Sequence, residues 1–146
     1  MSLRYQPGKW LYVDADANYC NGRAIEEKPG ENYLPLAPVF SSIGGITHSC
    51  KKGLNAAIRY RYMSDRPANE DNSVVAKGYF VNDAVVSYER KKYGLGVSVQ
   101  NLFDVRWKET QFDTLSKLQN ETAPVSEIHF TPGSPFFLKT HVTFYF

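Results

Sequence analysis

Asp14, Asp16 and Asn18 stand two residues apart in one stretch of the chain, and Arg59 and Arg61 repeat that spacing in another. A spacing of two places side chains on the same side of an extended strand. Two acids and an amide on one side form a hydrated polar wall that can touch a solute. Two arginines on one side need water or carboxylate partners. The three histidines, His48, His129 and His141, have no metal-ligand spacing with one another or with Cys20 and Cys50. Glu127 and His129 share a side and make at most half a metal site. There is no Gly-x-Ser-x-Gly elbow, phosphate loop or zinc-protease helix. The expectation is a protein that is not an enzyme, with no catalytic residues, no metal site and no cofactor.

The elements that must carry these groups follow from hydrophobic periodicity, which is 2 almost throughout. From Trp10, the residues Leu11, Val13, Ala15, Ala17 and Tyr19 alternate with Tyr12, Asp14, Asp16 and Asn18. A helix would scatter the acids around its circumference, so 10–19 is predicted as a strand. Further strands are predicted over 38–49, 54–63 (Leu54, Ala56, Ile58, Tyr60 and Tyr62 against Asn55, Arg59 and Arg61) and 78–89, where Asn82 interrupts the apolar side. A fifth runs from Leu95 to Phe103 and a sixth covers 136–146. Cys50–Gly53 and Arg90–Gly94 read as short turns. The polar stretches 21–36, 64–77 and 104–135, rich in Gly, Pro, Asn and Asp, read as long loops. Within the last, Thr110–Glu121 has room for a helical turn or two.

Composition narrows the classes further. The 146 residues hold 17 Lys+Arg and 15 Asp+Glu, a net charge of +2, which lacks the basic excess of a nucleic-acid module. No run approaches the ~18 apolar residues of a membrane-spanning helix. The N-terminus, Met1-Ser2-Leu3-Arg4, has no apolar h-region, so no signal peptide is expected. Aromatics make up 14% of the chain, with ten Tyr, nine Phe and two Trp, which suits strands, interfaces or a membrane belt.

In an antiparallel meander the alternating connections gather all long loops at one end and all short turns at the other. Outer-membrane barrels sort their loops this way, and the strand lengths suit the ~9–11 residues of a tilted transmembrane strand. The fold expected is all-β, an antiparallel meander of about six strands. The alternative is a soluble all-β ligand-binding domain whose apolar faces pack on one another. The meander also puts Cys20 and Cys50 at opposite ends of neighbouring strands, on the order of 25–30 Å apart, so they are expected to stay unpaired.

Several segments carry a family resemblance. They are Asn32-Tyr33-Leu34-Pro35-Leu36-Ala37-Pro38, Arg59-Tyr60-Arg61-Tyr62, Arg66-Pro67-Ala68-Asn69-Glu70-Asp71, Gly78-Tyr79-Phe80, Asn101-Leu102-Phe103-Asp104 with Trp107, and Glu127-Ile128-His129-Phe130-Thr131-Pro132-Gly133. With the aromatic-ended last strand, they resemble the C-terminal barrel segment of TonB-dependent outer-membrane receptors of Gram-negative bacteria, over roughly the whole chain. The resemblance implies a segment of a 22-stranded transmembrane barrel, located in the bacterial outer membrane and importing iron chelates or other scarce nutrients with TonB-supplied energy. On this reading residues 1–146 are the C-terminal part of the barrel, with the plug domain and most strands absent, and 104–135 is a long extracellular-type loop. Asp14, Asp16, Asn18, Arg59 and Arg61 would face the lumen and meet ligand or plug. Val142, Phe144 and Phe146 would be the signal read by the barrel-assembly machinery. The implied partners are outer-membrane lipid, the rest of the barrel and plug, TonB through that plug alone, and a second copy of the isolated segment. No nucleic acid is expected.

Overall fold

The computed structural model describes residues 1–146. It contains eleven strands and no helix: β1 (Ser2–Gly8), β2 (Leu11–Tyr19), β3 (Phe40–Ser49), β4 (Leu54–Met63), β5 (Arg66–Pro67), β6 (Val75–Ala76), β7 (Tyr79–Glu89), β8 (Tyr93–Gln100), β9 (Lys108–Ser116), β10 (Val125–Pro132) and β11 (Phe137–Phe144). Seven of them form one antiparallel sheet in the order β1-β2-β3-β4-β7-β8-β11. The pairs β5–β6 and β9–β10 are separate ribbons within the second and third long connections.

All six expected strands are present, and β1 precedes them. It was not legible because its alternation lasts only from Ser2 to Tyr5 before Pro7-Gly8 interrupts it. Pairing supplies what the local pattern lacks, with Arg4 opposite Asp14 and Tyr5 opposite Val13. The helical turns expected over Thr110–Glu121 do not form. Lys108–Ser116 is strand β9, with Thr114 opposite Glu127 and Phe112 opposite His129. Both sides of that ribbon are mixed in polarity, so the sequence shows no period of 2, and the ladder to β10 supplies the order instead. The fifth strand ends at Gln100, earlier than expected, because Asn101 turns the chain at φ +49°.

Register sorts the sheet into two faces. One carries Leu3, Tyr5, Val13, Ile46, Ile58, Phe80, Val86, Leu95, Val97, Leu138, Val142 and Phe144. The other carries Ser2, Arg4, Asp14, Asp16, Asn18, Arg59, Arg61, Asp83, Ser98, Gln100, Lys139 and His141. No second layer covers the apolar face: Ile58 is 53% exposed and Val142 58%. Only 13 of 146 residues are buried, so the sheet is a wall rather than half of a packed sandwich. The packed faces required by the soluble alternative have no counterpart here.

Aromatic rings gather at both ends of the apolar face. Phe40, Tyr62 and Phe80 form a cluster at the long-connection end, with centroids 5.8 Å (Phe40–Tyr62) and 6.4 Å (Tyr62–Phe80) apart. Tyr88 and Tyr93 pair at the short-turn end, 6.4 Å apart, next to Phe144. From Leu54, opposite Tyr88, to Tyr62 is about 26 Å along β4. At the roughly 35–45° tilt of outer-membrane strands this projects to about 18–21 Å, somewhat short of the ~25 Å apolar band that aromatic girdles flank in such barrels.

The same register fixes the cysteines. Cys20 donates its N–H to Val39 O at one end of β3, whereas Cys50 follows Ser49 at the other end. About 30 Å of strand separates them, far beyond the ~7 Å Cα limit of a disulfide. Titration of the denatured, non-reduced chain should therefore find two free thiols. A monomer with none would refute this strand order.

Candidate functional site: a polar wall under three joined connections

The polar face is built from ion pairs that cross strands. Asp14 lies opposite Gly45, and Gly45 lies opposite Arg59. The Arg59 guanidinium reaches across β3 to bond the Asp14 carboxylate. Gly45 makes the crossing possible, since a Cβ there would stand 2.8 Å from Arg59 Cδ. On the apolar face Gly44 does the same for Tyr60, whose ring would meet a Cβ at 2.9 Å. The Tyr60 hydroxyl shares a 3.0 Å hydrogen bond with Ser42 Oγ, which donates to Asp16 O at 2.9 Å. The adjacent glycines thus let one long side chain cross the strand on each face.

Two further pairs extend the wall. Arg4 Nη2 meets Asp16 Oδ2 at 2.7 Å, and Ser2 Oγ bonds the same carboxylate. Arg61 Nη2 stands 3.4 Å from Asp83 Oδ2. Asp14 is 6% exposed, and the arginines are about half-exposed. The structure therefore brings Asp14 and Arg59 together, but gives Asp16 and Arg61 partners of their own. Asn18 stays beside Asp16 at the rim of a shallow hollow near Met1. Arg4 and Asp83 escaped the sequence reading because nothing local marks them, and only cross-strand register shows their partners.

At the long-connection end, Arg61 lies under Trp107, with its guanidinium carbon 5.4 Å from the ring centroid. Tyr79 packs on the same ring at 4.8 Å. Arg61, Asp83, Gln100, Trp107 and Glu109 line an open cavity of about 330 Å³ on the polar side. Trp107 is held by two features. Its Nε1 donates to Ser134 O at 3.0 Å, and Gly133 lies flat against the ring where a Cβ would come within 2.1 Å.

The Asn-Leu-Phe-Asp segment is a clasp. Asn101 Nδ2 donates to Val105 O at 2.9 Å and to Ser134 O at 3.0 Å, and its Oδ1 accepts from Val105 N at 2.9 Å. Its own N–H donates to Asp83 Oδ1 at 2.9 Å. Asp104 Oδ1 accepts from Phe136 N at 3.0 Å, tying the start of the third connection to its end. Asparagine suits this place because it tolerates positive φ and has an amide that both donates and accepts.

The three long connections are joined to one another. Tyr33 N donates to Glu70 O at 3.0 Å and Leu36 N to Pro67 O at 2.7 Å, linking the first to the second. Gln111 links the second to the third: its Oε1 accepts from Lys77 N at 2.9 Å and its Nε2 donates to Lys77 O at 2.7 Å. That amide is 1% exposed, so both of its groups are satisfied out of water. Asp65 Oδ2 accepts from Lys77 Nζ at 2.8 Å and Oδ1 from Gly78 N at 2.7 Å, and these bonds hold its carboxyl below the ordinary value of 3.8. The histidines pack elsewhere: His48 edge-on to Trp10, His129 by Phe112, and His141 over Gly96.

No protein-family model matches the chain, and no curated protein matches it. Solved structures do resemble it. The siderophore receptor PiuA from Acinetobacter baumannii superposes with a TM-score of 0.68 at 16% identity, over 98% of this chain and 20% of that one. The ferric citrate transporter FecA in its unliganded form gives 0.64 at 15%, over 91% and 21%. The ferric yersiniabactin uptake receptor FyuA from Yersinia pestis gives 0.63 at 16%, over 99% and 23%. This chain therefore spans about a fifth of the length of each, and at such identity the likeness concerns the fold. That fold is an all-β antiparallel meander matching part of the barrels of these three proteins.

Proposed function

We propose that this chain forms the C-terminal part of a 22-stranded outer-membrane barrel that takes up iron chelates or other scarce nutrients with energy supplied through TonB. The observation that carries the reading is the two-faced single-layer sheet, with an apolar band between two aromatic clusters on one side and a wall of ion pairs on the other; on this reading the first side faces lipid and the second a lumen. A closed barrel is the strand architecture that satisfies every backbone group within a bilayer. The kinship in fold to three iron-chelate receptors or transporters supports the cargo class.

On this reading Asp14, Asp16, Asn18, Arg59 and Arg61 line the lumen beside ligand or plug, and the segment 104–135 extends outside the cell. The β11 end, with Val142 and Phe144 on the lipid side and Phe146 fully exposed beyond the last pairing, is what the barrel-assembly machinery reads. TonB is engaged through the plug and not through this segment. The test uses cells producing the whole receptor that contains this chain. The receptor should fractionate with the outer membrane, and labelled uptake of at least one member of a panel of ferric chelates, cobalamin and oligosaccharides should require both receptor and TonB. Recovery in a soluble fraction, or uptake indifferent to TonB across the panel, would overturn the reading.

A further inference from the structure

A cavity of about 250 Å³ lies between the first and second long connections, away from the ion-pair wall. Leu34, Val39, Pro67 and Val75 give it apolar sides, and Arg66 and Arg23 bring two positive charges. Arg66 is 7% exposed, and its Nη1 is sealed from solvent without a hydrogen-bond partner. A guanidinium cannot shed its proton to escape burial, as a lysine can. A largely buried guanidinium without a hydrogen-bond partner is costly, so an anion in the half-open cavity that meets the part of this group facing it gains a charge-assisted hydrogen bond.

No carboxylate of the chain forms a hydrogen bond or close ion pair with Arg66. Asp65 is the one carboxylate lining the cavity; its oxygens accept from Lys77 Nζ and Gly78 N, and it attracts Arg66 only through space. Arg23 lies flat on the Tyr33 ring, 3.5 Å from its centroid, which fixes the second charge at the cavity wall. At about 250 Å³ the cavity lies just below the ~300–1,000 Å³ of usual ligand pockets, so its occupant must be small. We propose that this cavity binds a carboxylate carried on a compact apolar body, with Arg66 as its charge partner.

Cys20 lines the same cavity and is exposed, so it is a built-in reporter. With Cys50→Ser, Cys20 is the single thiol, and its rate of alkylation by N-ethylmaleimide can be followed on the full chain in detergent. Benzoate should slow the reaction several-fold at saturation, and benzyl alcohol, its uncharged counterpart, should not. Arg66→Gln should raise the benzoate concentration for half-protection at least about tenfold, as expected for loss of one charge-assisted hydrogen bond.

A second measurement needs no change at Arg66. In the Cys50→Ser chain, Cys20 should prefer an anionic over a cationic methanethiosulfonate reagent more strongly when the chain is folded than when it is unfolded in urea. Four outcomes would each overturn the proposal. They are no protection by benzoate (water alone fills the cavity), equal protection by benzyl alcohol, unchanged protection in Arg66→Gln, or the same charge preference at Cys20 in the folded and unfolded chain. The assay involves no transport, so its failure leaves the uptake reading standing, and failed uptake leaves this site standing.

Discussion

In detergent-free buffer at micromolar concentration, the isolated chain should sediment as aggregates or as a self-associated species, and detergent should be needed to disperse it. Two features drive this. The lipid-type face exposes Leu3, Tyr5, Ile46, Ile58, Phe80, Val86, Leu95, Leu138, Val142 and Phe144 as one continuous patch. Soluble monomers seldom leave more than about 300–600 Å² of apolar surface bare, and this face covers most of a seven-stranded sheet. The sheet also ends in two open edges, β1 and β11, whose outer N–H and C=O groups are templates for another strand. Every residue of β11 is exposed. A second copy that pairs edge to edge would relieve both. Sedimentation velocity with and without detergent checks this, and a monodisperse monomer without detergent would restore the soluble alternative.

Asn101→Ala should be among the most damaging single changes, costing on the order of 3–5 kcal/mol if three side-chain hydrogen bonds are lost at about 1–3 kcal/mol for each buried group left unpaired, with partial relaxation. The residue is 1% exposed, so water cannot replace the amide at Val105 N, Val105 O and Ser134 O. Alanine also tolerates the φ of +49° less well than asparagine. The effect should spread to Trp107, because Ser134 O accepts from both Asn101 Nδ2 and Trp107 Nε1. The measurement is the denaturant midpoint of the detergent-folded chain, read by tryptophan fluorescence. Asn101→Asp, which puts a buried carboxylate oxygen against the Val105 and Ser134 carbonyls, should be at least as damaging as the alanine change at neutral pH. A midpoint shift that, multiplied by the denaturant slope, amounts to less than about 0.5 kcal/mol, the range of an ordinary surface change, would refute the clasp.

The sequence by itself determined the class of the fold, six strands of the main sheet and which of their side chains share a face. The reason is local: a pleat with period 2 writes itself into alternating residue types, as in Leu11–Tyr19 and Leu54–Met63, and turn chemistry writes itself into Pro, Gly, Asn and Asp. The sorting of long and short connections to opposite ends followed from chain order alone. The tertiary structure decided the rest. β1 has too short an alternation to be read and exists through its pairing with β2. The ribbon β9–β10 replaces the expected helical turns because two mixed-polarity segments find each other across a turn. The partners on the polar wall, Asp14 with Arg59, Asp16 with Arg4 and Arg61 with Asp83, are 45, 12 and 22 residues apart along the chain. Such pairings depend on register between strands, and a strand's own pattern carries no record of which neighbour it will meet or how far it will slide. For the same reason Gln111 and Arg66 looked like ordinary polar loop residues: burial made one a link between connections and left the other a charge without a hydrogen-bond partner.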